Sequence, residues 1–92
     1  MMQYYMIEWE HEEPDDPWRL FLELNHDGRI SRKIEVFRIG VYEAYEDLDT
    51  PPVDPREIAG AEGRVTDINY YQFEDMWSQA REVCESFMSM FF

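Results

Sequence analysis

Scarcity is the first guide to this 92-residue chain, which has one cysteine, four glycines and only eight lysines and arginines. The lone Cys84 rules out an internal disulfide and fits a reducing compartment. With so few glycines, no Gly-rich phosphate loop is present. No apolar run approaches the roughly 18 residues of a membrane span. The start, Met1-Met2-Gln3-Tyr4-Tyr5, lacks the basic and apolar segments of a secretory signal, which predicts a cytoplasmic protein without membrane contact. The length predicts one domain over residues 1–92.

What is abundant is acid. Twenty-one Asp and Glu leave a net charge of −13, whereas a small soluble domain carries roughly 2–8 in magnitude. Such an excess destabilises the compact state by self-repulsion, so a basic partner surface would make it useful. The chain is nevertheless not a disordered acidic tail. It is 45% hydrophobic, with three Trp, six Tyr and six Phe, residues in which such tails are poor.

Residues 4–10 alternate, with Tyr5, Ile7 and Trp9 on one face and Glu8 and Glu10 on the other, which predicts a half-buried strand. Two prolines make 11–17 an exposed loop. Residues 18–24 alternate again, with Trp18, Leu20, Leu22 and Leu24 facing inward. Asn25-His26-Asp27-Gly28 supplies a turn. Residues 29–38 read as a third strand with Ile30, Ile34 and Val36 on one face, and Val41 to Tyr45 as a fourth. The short links predict an antiparallel meander.

Beyond Thr50-Pro51-Pro52 the pattern becomes helical. Asp54-Pro55-Arg56-Glu57 supplies a cap, a first-turn Pro and a Glu, predicting a short helix near 54–60. Gly63 to Asp67 can add an edge strand. Asn69 and Gln72 then cap a long helix, with Ile68 and Phe73 as its hydrophobic staple. Its stripe of Phe73, Trp77, Ala80, Cys84, Phe87 and Phe91 would pack across the inner face of the sheet. The expected class is α+β: a meander of four to five strands with a C-terminal helix on one face.

Ten of the 21 acids fall in two groups, Glu8, Glu10, Glu12, Glu13, Asp15 and Asp16, then Glu43, Glu46, Asp47 and Asp49. Alternate residues on a strand stand about 6.6–6.8 Å apart, close to twice the ~3.4 Å phosphate repeat of a DNA strand. Glu8, Glu10 and Glu12 would thus keep step with every second phosphate, although any strand with alternate acids has this spacing. A solvated, solubilising face is the competing explanation. Tyr42, Tyr45, Tyr70 and Tyr71, beside acids or at a helix start, suit an interface, where aromatic anchors carry energy and charge sets the on-rate. The apolar tail offers Met88, Met90, Phe91 and Phe92 as dimer contacts, or as terminal packing on the sheet edge.

Catalysis finds little support. His11 and His26 fall in loops without a Ser or Cys motif, and Cys84 sits within an apolar stripe. The acid run lacks the Gly-centred spacing of an EF-hand. No enzyme activity, metal or cofactor is expected.

Ile7-Glu8-Trp9-x-His11, Pro14-Asp15-Asp16-Pro17 and Arg32-Lys33-Ile34-Glu35-Val36-Phe37-Arg38-x-Gly40 resemble a family of small bacterial proteins of unassigned function. Ile68-Asn69 through Phe73-Glu74 and Trp77 fit the same pattern. Ile39, where Asp would be expected, and the apolar C-terminal extension depart from it. The resemblance is immunity-protein-like in character: small, acidic and cytoplasmic. That family has no established activity to carry over; the acidic groups and their neighbouring tyrosines predict a non-catalytic inhibitor that occludes a basic, nucleic-acid-handling surface of a protein partner, as a toxin's immunity protein or a phage anti-CRISPR or anti-restriction mimic does. No direct contact with nucleic acid is expected. The alternative is a housekeeping interaction domain that dimerises through its C-terminal helix, with acidity serving solubility alone.

Overall fold

The computed structural model describes residues 2–11, 13, 15–38, 40, 42–46 and 50–89, with side chains through residue 82. Five strands, β1 (Gln3–Glu8), β2 (Arg19–Leu24), β3 (Ile30–Val36), β4 (Tyr42–Glu46) and β5 (Arg64–Ile68), form one sheet in the order β4-β3-β2-β1-β5. Every pairing is antiparallel. Among the described residues two helices accompany the sheet, α1 (Pro55–Ala59) and α2 (Tyr70–Ser89). The expected α+β meander is thus present, with β5 returning beside β1.

Local chemistry explains the boundaries. The β2–β3 turn closes around Asn25, whose side chain accepts from the amides of Asp27 and Arg29, and Gly28 adopts φ 80°. Asp54 caps α1 by accepting from the Arg56 amide. At the start of α2, the Gln72 amide donates to Asn69 Oδ1 while the Asn69 amide donates to Gln72 Oε1, both at 2.8 Å. That reciprocal pair is a capping box.

The sheet is covered on both faces, and here the pattern of alternation misled. Leu20, Leu22, Leu24 and Ile7 do face one side together, but α1 and the segment before it cover them, through Ala59, Ile58 and Val53. The long helix α2 lies on the opposite face, against Phe21, Ile34 and Val36. Strand β2 is buried along both faces because it lies mid-sheet between the two layers.

Two residues expected with these leucines or isoleucines change sides. Trp18 precedes β2 and packs with the cluster beneath α2. Ile30 leaves Ile34 and Val36 because β3 carries a bulge: Leu24 pairs with Ile30 and Glu23 with Arg32, so Ser31 has no opposite residue. One extra residue in a strand inverts the alternation beyond it. Ile30 therefore joins the α1 face.

Candidate partner-binding surface

The same bulge builds a charged network beneath α2. Glu23, with 7% of its side chain exposed, receives Arg32 Nε at 2.8 Å and Nη2 at 2.6 Å in a bidentate pair. The Ser31 hydroxyl donates to Glu23 Oε1 at 2.8 Å. Arg32 also reaches Glu74 of α2, and its guanidinium lies 4.9 Å over Phe73 and 5.0 Å over Trp77. Arginine's planar fork suits this double task, since it pairs along one edge and stacks through its face.

Proton affinities follow from these contacts. Hydrogen bonds from Arg32 hold the Glu23 carboxyl below its usual range, and burial opposes them only in part. Arg32 is raised in turn, chiefly by its bonds to Glu23. Tyr4, whose hydroxyl hydrogen-bonds Glu23, is pushed up to about 12, first by burial and then by that carboxylate. No buried polar side-chain atom among the described residues lacks a partner. The network therefore fastens α2 to the sheet. Sequence reading missed it. Its signal was Glu23, a charge set within the apolar run Leu20-Phe21-Leu22 and Leu24.

Cations elsewhere are also drawn onto the protein's own groups. Arg19 pairs with Glu8 at 3.2 Å and lies 4.0 Å over Trp18. Lys33 pairs with Glu35 at 3.3 Å and lies 4.9 Å over Tyr45. Arg81 reaches Glu46 at 3.4 Å and lies 5.9 Å from the Trp77 ring centre. Arg38 packs toward Trp18 and donates from Nε to the His11 carbonyl at 2.6 Å.

The first acidic group divides. Glu8 ends β1 and is held by Arg19, so the strand-borne comb expected to run from Glu8 does not reach Glu10. Glu10, Glu13, Asp15 and Asp16 are exposed on the connection to β2; Glu12 lies outside the described residues. That connection is pinned at His11. Its Nδ1 accepts from the Glu13 amide at 3.1 Å, so Nε2 carries the proton and donates to the Pro17 carbonyl at 2.9 Å. A ring engaged at both nitrogens is structural. Among the described residues, no group of three or more His, Cys, Asp or Glu is placed to hold a metal.

The second group stands apart. Glu46 shares a row with Arg32, Glu23 and Tyr4, whereas Glu8 lies four residues further along β1. The offset is about 14 Å across three strands and about 13 Å along them. Glu43 falls on the sheet face opposite Glu8, opposite Glu35 of β3. Its carboxylate accepts from the Tyr45 hydroxyl at 2.6 Å. Tyr42, expected at the binding surface, is instead partly buried against the core beneath α2. Asp47, Asp49, Met90, Phe91 and Phe92 lie outside the described residues, as does the side chain of Met88.

The loop acids thus cluster at one end of the sheet without the β4 group. A cleft of about 880 Å3 opens there, walled by Trp9 and Trp18 and bordered by Glu8, Glu10 and Glu62 with Arg38 and Arg64. Trp9 is held in place by its Nε1–H, which donates to the Ala59 carbonyl at 2.8 Å. Glu62, a residue the sequence did not single out, joins the rim through the turn between α1 and β5.

Fold and surface together define a small α+β domain with a doubly covered antiparallel sheet and one acidic, loop-built end. The chain belongs to the DUF6881 family, a domain of unknown function, whose profile matches residues 3–82. Neither the curated proteins nor the solved structures give a match. Among the described residues, no helix is long and apolar enough to cross a membrane.

Proposed function

We propose that this protein is a non-catalytic inhibitor that binds and occludes a basic, nucleic-acid-handling surface of another protein, in the cytoplasm. An immunity protein of a toxin pair and a phage anti-restriction or anti-CRISPR protein both act in this way. One observation carries the reading: the two signs of charge are used differently. Arg19, Arg32, Lys33 and Arg81 form ion pairs on the protein's own surface or interior, while Glu10, Glu13, Asp15, Asp16 and Glu62 stand exposed around one end and outnumber the exposed cations there, Arg38 and Arg64.

The mechanism is occlusion. Carboxylates on the pinned loop pair with Arg and Lys that otherwise hold phosphates, and the negative end speeds encounter. The docking face centres on 10–16 and Glu62, leaving the β4 acids outside it.

The experiment replaces Glu10, Glu12, Glu13, Asp15 and Asp16 by Gln and Asn, and measures binding to the partner captured from the host. The wild-type protein should inhibit that partner's action on nucleic acid and release it as salt rises. The variant should bind more slowly and with a shallower salt dependence. Unchanged affinity at low salt would sink the proposal.

A further inference from the structure

Large apolar side chains exposed on the described surface are Met2 (43%), Tyr70 (51%) and Tyr71 (79%). All three belong to the region where β1 begins and α2 starts. The Tyr70 ring stands edge-on to Tyr71, with centroids 5.4 Å apart, and to Tyr4, at 6.0 Å. Beside them lies a shallow hollow of about 410 Å3 whose lining includes Met2, Tyr4, Ile68 and Tyr70, and in which Asp67 is the one charged residue among those described. Gathered exposed aromatics mark contact surfaces, and tyrosine suits them because it supplies large area with few rotatable bonds.

Charge selects the occupant. Tyrosine faces attract cations, and Asp67 supplies a carboxylate beside them. Asp75, four residues beyond Tyr71, lies on the same side of α2. An anion is less suited, because the capping box already takes the Gln72 amide at the helix start. A second copy would bring −13 against −13 and, about a two-fold axis, Asp67 toward Asp67.

We propose that the Met2–Tyr70–Tyr71 patch is a second docking point that takes an arginine or lysine side chain of a basic partner protein, its charged head over the tyrosine faces and paired with Asp67. This deepens the inhibitor reading and rests on it. The acidic loop steers the partner while the tyrosine patch holds it. From Tyr4 to Glu10 the chain spans about 20 Å, within the reach of one standard interface.

A nona-arginine peptide serves as probe, titrated at low salt into the 15N-labelled protein. The amide resonances of Met2, Asp67, Tyr70 and Tyr71 should shift together with those of the 10–16 loop. Tyr71→Ser should weaken binding about two- to fivefold, the range for an exposed cation–aromatic contact, and Tyr71→Phe should retain the wild-type affinity. Tyr71 is largely solvated, so neither change threatens the fold. Shifts confined to 10–16, with Tyr71→Ser binding as wild type, overturn the second docking point and leave the acidic-loop reading standing. Absence of any shift overturns both. Patch resonances that move with protein concentration alone assign the surface to a second copy and likewise overturn the proposal.

Discussion

Replacing Arg32 by Met keeps the length and apolar body of the side chain but removes the charge from the network beneath α2. Its guanidinium has 19% of its side chain exposed and satisfies the still more buried Glu23 as well as Glu74. In Arg32→Met, Glu23 keeps the Ser31 and Tyr4 hydroxyls but faces no cation there. Breaking a buried pair from one side costs about 3–5 kcal/mol. Against a total of about 5–15 kcal/mol for a domain, that is a large fraction of the stability.

The second variant, Arg32→Met with Glu23→Leu, removes both charges and should recover most of the loss, because a paired charge replaced by apolar groups is often neutral. Urea unfolding in moderate salt is the assay, with the midpoint shifting and the slope unchanged. The pH dependence has a definite direction. In the wild type the folded Glu23 carboxyl is lowered, so its stabilising contribution is present above the unfolded value of about 4.3 and disappears as pH falls through the folded value. Without Arg32 that lowering goes, so the deficit of Arg32→Met should narrow on acidification. A deficit below about 1 kcal/mol, or a double variant as unstable as the single, would show that Arg32 does not hold α2 to the sheet by compensating a buried Glu23 charge.

Three further outcomes are expected. Tyr4, raised to about 12, contributes stability that is complete below the unfolded value of about 10 and lost as pH climbs through 12; ultraviolet titration should show a late-ionising tyrosine that Tyr4→Phe removes. Gly63→Ala would drive a methyl group into the Ala59 backbone and against Trp9 Nε1, costing about 1–3 kcal/mol and shifting tryptophan emission as the Trp9–Ala59 bond is displaced. His11→Ala removes both side-chain bonds that pin the acidic connection, so the Glu13 amide should exchange faster while global stability changes by about 1 kcal/mol. An unchanged Glu13 exchange rate would show that something else orders the loop.

Short-range chemistry carried most of the fold in the sequence. Asp54 with Pro55, Asn69 with Gln72, and Asn25 through Gly28 mark their boundaries within four residues, because caps and turns are satisfied by neighbours in the chain. The alternation of residues 4–10 and 18–24 likewise announced strands, which run over Gln3–Glu8 and Arg19–Leu24, and short links announced antiparallel pairing. The acidic loop was legible for the same reason, since two prolines in seven residues allow neither helix nor ladder. Its anchoring by His11 and Arg38 was not, because Arg38 lies 27 residues from the carbonyl it binds.

Face and partnership were decided by tertiary structure. A single unpaired residue, Ser31, sends Ile30 to the α1 side and leaves Arg32 beneath α2, where it meets Glu23 from β2 and Glu74 from the helix. Composition determined that the protein is acidic, structured and without an internal disulfide. Only strand order and register determined where the acid lies, separating Glu46 from the loop by three strands and four residues. The reason is geometric: a bulge or a strand order has no signature within the few residues that local propensity reads, yet each reassigns every side chain beyond it.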